Sequence, residues 1–385
     1  MDDTARGRIH PGRRSSSFLR FLLPPLLASL SLLFPGCRGA QTKTVHHWFG
    51  MDTDFSATLY SGAHGKPLVP EDSAFARLER ESARLENLFS DYLPGSSLKK
   101  LLGRQGDTLA TDSETVAVFS AAQEMALASL GSFDITLHNL KSAWGLASGD
   151  SNKVPGDAEL ALALRGNPAF GASLDSNPAL RPPFRLLPGN RLVLLRDSVV
   201  FDLGGIAKGY AVDRMHALLD SLGFPDHIVS AGGDLRVGGN KTGQPWAVGI
   251  RHPRHPDALA GSLTLERAMA VSTSGDYERF FIRDGVRYHH IFDPRTGKPA
   301  RPYCSVTVLA PGGSLLADRL TKPCFILGPD KASALLKRFG ARAVWLRETG
   351  GGTDSTGAPR LCAVQAEGLA GVLALKDIEP CVGGR

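Results

Sequence analysis

Residues 202–214 read DLGGIAKGYAVDR, a glycine pair set between an extended apolar run and a stretch with helical spacing. Glycines at the end of a strand let backbone N–H groups approach a bulky anion, and the first turn of the next helix adds its own amides. Lys208 stands in that first turn, within reach of a phosphate. The helix is expected over about 207–222, burying Ala211, Met215, Leu218, Leu219 and Leu222 and stopping at Gly223. Taken alone, the segment is not a Walker loop, and a plain glycine turn explains it. Two further segments change that balance. Residues 228–239, IVSAGGDLRVGG, carry another glycine pair followed by an acid, Asp234. Residues 272–297, STSGDYERFFIRDGVRYHHIFDPRTG, crowd Ser274, Asp276, His289, His290, Asp293 and Arg295 among glycine turns. Three such stretches in one chain are costly for a purely structural protein and point to a chemical site.

Around these segments the periodicities predict an α+β fold. Helices are expected at 71–92, where Phe75, Leu78, Leu85, Leu88 and Tyr92 follow a 3.6-residue period, and at 113–130, with Thr111 and Glu114 as a capping box. Residues 147–190 are rich in Pro, Gly, Asn and Ser and read as loop, with one short helix at 157–165. Strands are expected at 191–195 and 198–203, as a hairpin, then at 227–231, 246–251, 262–272, 304–310 and 342–347. They do not alternate regularly with crossover helices, which favours antiparallel sheets packed with helices over a doubly wound parallel sheet. No short repeat and no internal linker divides the chain, so residues 46–375 read as one functional domain.

Of the 385 residues, 42% are hydrophobic and 21% charged, which excludes disorder over most of the chain. The 43 glycines and 25 prolines have no fixed period, which excludes a collagen-like protein. At the N-terminus, Arg13, Arg14 and Arg20 precede the apolar run Phe21 to Phe34, too short for a membrane span and broken by Pro24 and Pro25. Residues 1–36 therefore read as an export signal, and Gly36-Cys37 as a lipobox-like cleavage and lipidation site, or Cys37 as an ordinary residue near a plain cleavage site. Residues 37–45 read as a tether. Removing five Arg and two Asp with residues 1–36 leaves 39 basic against 36 acidic residues, a net +3, which is no nucleic-acid footprint. Cys304, Cys324, Cys362 and Cys381 form an even set in a disulfide-permissive compartment, with three pairings open and no CxxC for zinc.

The motifs resemble those of the ApbE family, flavin transferases that use FAD to attach FMN to a threonine of a target protein. Asp202 to Asp213, Ala231 to Asp234, Thr273 to Phe280 and His289 to Pro299 match the family pattern almost letter by letter. Met51-Asp52-Thr53, Phe89-Ser90-Asp91-Tyr92, Gly131 to Asp134 with Thr136, Trp144-Gly145, Ser305 to Val308 and Ala317-Asp318 extend it in the right order over about 46–330. The resemblance implies a duplicated T-fold and an exported, membrane-tethered lipoprotein. It implies FAD contacts from Met51, Tyr92, Ser132, Phe133, Asp134, Asp202, Lys208 and Phe292, and His290 as the base that activates the acceptor hydroxyl. It also implies magnesium, held by the Gly205 carbonyl, the Asp318 carboxylate and a threonine hydroxyl four residues after the aspartate.

Here the chain departs from the family. Ala317-Asp318-Arg319-Leu320-Thr321-Lys322-Pro323 puts Lys322 at the ligand position. An ammonium carries three donors and no acceptor and repels a dication. Thr321, the substitute ligand, is turned about 100° away on a helix unless Pro323 distorts it. Leu102 replaces a usual asparagine as a lesser change. Three activities fit these residues: FMN transfer with an altered metal shell, FAD binding without efficient transfer, and metal-assisted hydrolysis of FAD to FMN and AMP.

Overall fold

Phe55, Ala57 and Leu59 are buried at every second position of the strand Thr53–Ser61, the period that turns one face of a sheet to a core. This strand belongs to a nine-stranded sheet whose members follow one another in chain order. They are Thr42–Gly50, Thr53–Ser61, Asp226–Ala231, Asp234–Gly238, Ala270–Gly275, Tyr303–Ala310, Arg342–Thr353, Pro359–Gln365 and Glu379–Pro380. Every neighbouring pair but the last is antiparallel. The computed structural model describes residues 42–62, 66–102, 108–147, 152–165, 183–195, 199–241, 243–266, 268–354 and 357–381. The export signal and Cys37 lie outside the described residues.

The helices are α1 (Glu71–Phe89), α2 (Ser97–Leu102), α3 (Ser113–Ala128), α4 (His138–Ala143), α5 (Asp157–Ala163), α6 (Ala207–Ser221) and α7 (Ser314–Arg338). Of these, α1, α2, α3, α6 and α7 share the core over one face of the sheet, whereas α4 and α5 pack with Phe281 and Phe292 in a separate cluster. Leu59, Leu78, Phe119, Met215, Leu320 and Trp345 share the core between sheet and helices. The other face packs a three-stranded sheet formed by Trp246–His252, His255–Leu265 and Leu373–Leu375, through Trp246, Ile250, Leu263, Leu309 and Val344. The central strand Tyr303–Ala310 is buried on both faces, which explains its continuous apolar run. The expected mixed fold of antiparallel sheets packed with helices is what forms.

Several boundaries differ from the sequence reading. The segment read as a tether through residue 45 is strand from Thr42 onward, paired from Thr42↔Ser61 to Gly50↔Thr53. It is an edge strand with polar side chains on both faces, so it carries no apolar alternation to betray it. The hairpin expected from 191–203 does not form. Arg191–Leu194 instead pairs back with Phe184–Leu187 across Gly189 and Asn190, both at positive φ. The strand expected over 262–272 is two, broken where Ala268 turns at φ 62°. Helix α3 is capped by Asp112, whose carboxylate accepts from the Thr115 amide at 2.8 Å, and not by Thr111. Glu114 binds Arg84 and Tyr210 and does not reach back to the cap. Cys362 and Cys381 form a disulfide, while Cys304 and Cys324 are buried thiols.

Helices α6 and α7 meet at Gly209. A Cβ there would lie 2.5 Å from the Ser314 carbonyl oxygen and 2.8 Å from the Asp318 Cβ. Gly209→Ala is therefore expected to destabilise the fold by about 1–3 kcal/mol through overpacking, read as a lower urea midpoint with unchanged slope. An unchanged midpoint would show that the helices part freely.

A buried histidine pair makes stability pH-dependent. His227 Nδ1–H donates to the Phe224 carbonyl at 2.7 Å, so its Nε2 accepts from His216 Nδ1–H at 2.8 Å. Burial, then His227 and Arg236, pulls the His216 pKa down to about 3, and burial lowers that of His227 as well. Both imidazoles are neutral in the folded protein, whereas the unfolded chain takes up protons below about pH 6.5. Stability present above that pH is lost as pH falls, by about 2 kcal/mol for His216 between pH 7 and 5, with a loss of the same sign from His227. Urea unfolding at the two pH values, native against a His216→Gln/His227→Gln variant, checks this: the variant should lose that part of the dependence.

Candidate active site

Segments far apart in the chain meet at a cleft of about 660 Å³, a volume within the range of small-molecule sites. Met51, Tyr92, Ser132, Phe133, Asp134, Asp202, Gly205, Lys208, His290 and Phe292 all line it; Asp318 and Thr321 do not.

The first wall is the tight turn between the two N-terminal strands. Its central residues, Met51 and Asp52, have φ of 49° and 58°. A two-residue hairpin of this kind demands left-handed backbone at both positions, which a methionine adopts only at a cost. Arg279 ion-pairs Asp52 and holds the turn against the segment that leads to the histidine pair. Nearby, the half-exposed Tyr92 donates its hydroxyl to Glu86.

The loop after α3 makes the floor. Phe133 is buried, with its amide on Ser129 Oγ at 3.0 Å. Asp134 Oδ1 accepts from both the amide and the hydroxyl of Thr136 at 2.7 Å, which fixes the turn. The buried Ser132 hydroxyl has no hydrogen-bond partner among the described residues, although it lines the cleft. A polar ligand or an ordered water in the cleft can satisfy such a group.

The run 199–203, which is not a strand, aims Asp202 inward. Its amide donates to the Ile135 carbonyl at 2.7 Å. Burial opposes ionisation of Asp202, but Lys141 at 3.0 Å and the Gly204 amide at 2.9 Å prevail and hold its pKa at about 2. Lys141 was invisible in the sequence, a lone lysine on a six-residue helix with no pattern around it. On α6, Lys208 reaches Asp234 at 3.2 Å and Asp318 at 4.0 Å. Burial lowers its pKa, yet the two acids outweigh burial and raise it, so it is a cation.

The two histidines divide their tasks. His289 is buried and bonds the Ala300 carbonyl through Nε2 at 3.0 Å, a structural role. His290 faces the cleft. A carbonyl can only accept, so His290 Nδ1–H donates to Arg279 at 3.3 Å and Nε2 keeps its lone pair. Burial, then the charge of Lys322, depresses its pKa to about 3 and keeps the ring neutral at physiological pH. Phe292 stacks on Trp144 with centroids 6.0 Å apart, and Trp144 donates to the Gly297 carbonyl at 2.8 Å, which clamps the DPRTG turn.

Other motif residues hold the frame. Asp213 accepts from the Ser314 and Leu315 amides at 2.7 and 2.9 Å and so caps α7, while also binding Arg236. Asp276 takes both ends of the Arg254 guanidinium at 2.7 and 2.8 Å.

The expected metal ligands do not form a cation cage. Asp318 has zero exposure; its Oδ1 accepts from Lys322 Nζ at 2.7 Å and its Oδ2 from the Gly209 amide at 3.1 Å. Thr321 is equally buried. Its hydroxyl donates to the Asp318 carbonyl at 2.8 Å and accepts from Ser274 at 2.7 Å, so Pro323 does not swing it toward the carboxylate. The Lys322 methylenes lie against Gly205, where a Cβ would sit 3.3 Å from Lys322 Cε. Burial opposes ionisation of Asp318, but Lys208 and Lys322 overcome it and lower its pKa; at Asp234 burial and the Asp318 charge win, and its pKa rises. A dication about 4 Å from one ammonium would meet ~8 kcal/mol of repulsion at an effective dielectric of about 20. The residues present do not fit magnesium there. A second cluster, His216, Asp220 and His227, does not line the cleft; its imidazoles bond each other and suit a hard, oxygen-seeking ion poorly.

The ApbE family model matches residues 51–345, the span that contains every residue of the cleft. Over 302 residues the chain is 30% identical to the FAD:protein FMN transferase of Rhodobacter capsulatus, covering 78% of this chain and 55% of that protein. It is 42% identical over 156 residues to the FAD:protein FMN transferase of Treponema pallidum, covering 38% and 43%. The matches span about half the length of these two relatives. The crystal structure of the ApbE protein from Thermotoga maritima superposes with a TM-score of 0.71 at 29% identity, covering 86% of this chain and 99% of that one. With a family match that takes in each wall of the cleft, the chain belongs to the ApbE family.

Proposed function

We propose that the protein is an FAD:protein FMN transferase. The observation that carries this reading is the convergence of Met51, Ser132, Asp202, Lys208 and His290 on one cleft that Lys322 also lines. FAD is the substrate: apolar walls at Phe133 and Met51 suit its rings, and Lys208 and Lys322 suit its diphosphate. His290 Nε2 takes the proton of an acceptor threonine hydroxyl as that oxygen bonds to the FMN phosphorus. The bond from that phosphorus to the bridging oxygen breaks, its electron pair leaves with AMP, and a phosphoester joins FMN to the target. Lysine charge at the phosphoryl oxygens compensates the charge that builds there. No step is assigned to magnesium, because the residues around Asp318 do not fit it.

In this reading the protein works in the cell envelope, after export through residues 1–36 and attachment of a lipid to Cys37. The Cys362–Cys381 disulfide supports an oxidising compartment. Among the described residues no helix is long and apolar enough to cross a membrane.

The test is to incubate the protein with FAD and a target bearing the acceptor threonine, then measure in-gel flavin fluorescence and AMP. A fluorescent target with AMP in equal amount is expected. AMP without a labelled target would assign hydrolysis, and bound FAD with neither product would assign a binding protein.

A further inference from the structure

Lys322 leaves the place of a divalent ion with a cation already in it. Its side chain crosses from Asp318, with Nζ 2.7 Å from Oδ1, to Gly205, against which its methylenes pack. These are two of the positions from which the resemblance to the family has a cation held. The other carboxylate oxygen is taken by the Gly209 amide, with Lys208 Nζ 4.0 Å away. Asp318 and Thr321 have no exposed surface and do not line the cleft, whereas Lys322 lines it and keeps about a fifth of its side chain exposed, 21%. Between the carboxylate and the ligand space stand two lysines that line the cleft, Lys322 in contact with Asp318 and Lys208 at 4.0 Å. Unlike a bound ion, the lysine is part of the chain, and its three donors can serve Asp318 and an incoming phosphate oxygen together.

We propose that Lys322 is the resident cation of this cleft, neutralising the diphosphate of the dinucleotide so that the protein binds its substrate without a divalent metal. This rests on the reading of the cleft as an FAD site. Lys322 acts as a binding and charge-compensating residue, and Asp318 positions it.

The experiment measures FAD affinity by flavin fluorescence for the native protein in excess chelator and in millimolar Mg²⁺, and the melting temperature with and without Mg²⁺ alone. Native affinity should agree within about twofold in the two buffers, and Mg²⁺ alone should not shift the melt. Lys322→Thr places a hydroxyl on the Asp318 face of the helix. It should weaken FAD binding in chelator by about 10- to 100-fold, the worth of one charge-assisted hydrogen bond, and regain it with Mg²⁺. Lys322→Met should weaken it without rescue. A native affinity that rises tenfold or more with Mg²⁺ overturns the proposal while leaving the FAD site standing. Failure to bind FAD in either buffer overturns both. The native comparison decides the matter even if a variant does not fold.

Discussion

His290→Ala is expected to slow FMN transfer by about 10²- to 10⁴-fold, the range for removal of a positioned general base, with FAD affinity changed far less. The expectation rests on which nitrogen is free. The Arg279 carbonyl fixes the proton on Nδ1, so Nε2 presents a lone pair to the cleft. Burial and Lys322 keep the ring unprotonated well below the usual histidine range. The acid limb of kcat/KM for the free enzyme should therefore lie below pH 6, since a depressed pKa keeps the base in its working form as pH falls. Binding a diphosphate beside Lys322 adds negative charge and raises the His290 pKa, so the limb for kcat should sit higher than that for kcat/KM. His289→Ala, by contrast, should act through stability, because its ring serves the Ala300 carbonyl. Time courses of target fluorescence with saturating FAD check the rate. A His290 variant within threefold of native would remove the histidine from proton transfer.

Asp318→Ala is expected to destabilise the fold by about 3–5 kcal/mol, the cost of leaving one member of a buried ion pair without its partner. The carboxylate has zero exposure and serves Lys322 and the Gly209 amide together, with Lys208 close by. Truncation strands Lys322 beside Gly205 and leaves the Gly209 amide unpaired where α6 and α7 meet. Asp318→Asn keeps the shape and one acceptor, so it should lose less. Urea midpoints of the two variants measure this, and a loss under about 1 kcal/mol for the alanine variant would mean that water reaches the pair freely.

Much of the cleft was legible because each of its walls is a contiguous motif in which glycine turns, charge and an aromatic occur together. DLGGIAKGYAVD puts Asp202, Gly205 and Lys208 on one turn and the start of one helix, so their common destination follows from local geometry. Division of labour within a motif was not legible. Asp213, Asp276 and His289 look as chemical as His290, but their partners are the Ser314 amide, Arg254 and the Ala300 carbonyl, which only the fold brings near. The departure at Lys322 could be read as a substitution, yet its consequence needed the structure. Sequence alone could not show that Thr321 turns to Ser274 or that Lys322 lies on Gly205. In the scaffold, strand propensity at 199–203 was misleading because Val199, Phe201 and Leu203 are buried without a strand partner, in a segment whose task is to present Asp202. Thr42–Gly50 was missed for the opposite reason, as an edge strand whose few apolar residues, Val45, Trp48 and Phe49, are divided between its two faces among polar ones.

The most direct measurement is a calorimetric titration of the folded protein, freed of its N-terminal segment, with FAD and, separately, with riboflavin. A cleft that grips the diphosphate should give one saturable FAD site per chain and far weaker riboflavin binding, since riboflavin brings the ring system without the charge that Lys208 and Lys322 await. No heat from FAD at millimolar concentration, or equal affinity for the two ligands, would contradict the account.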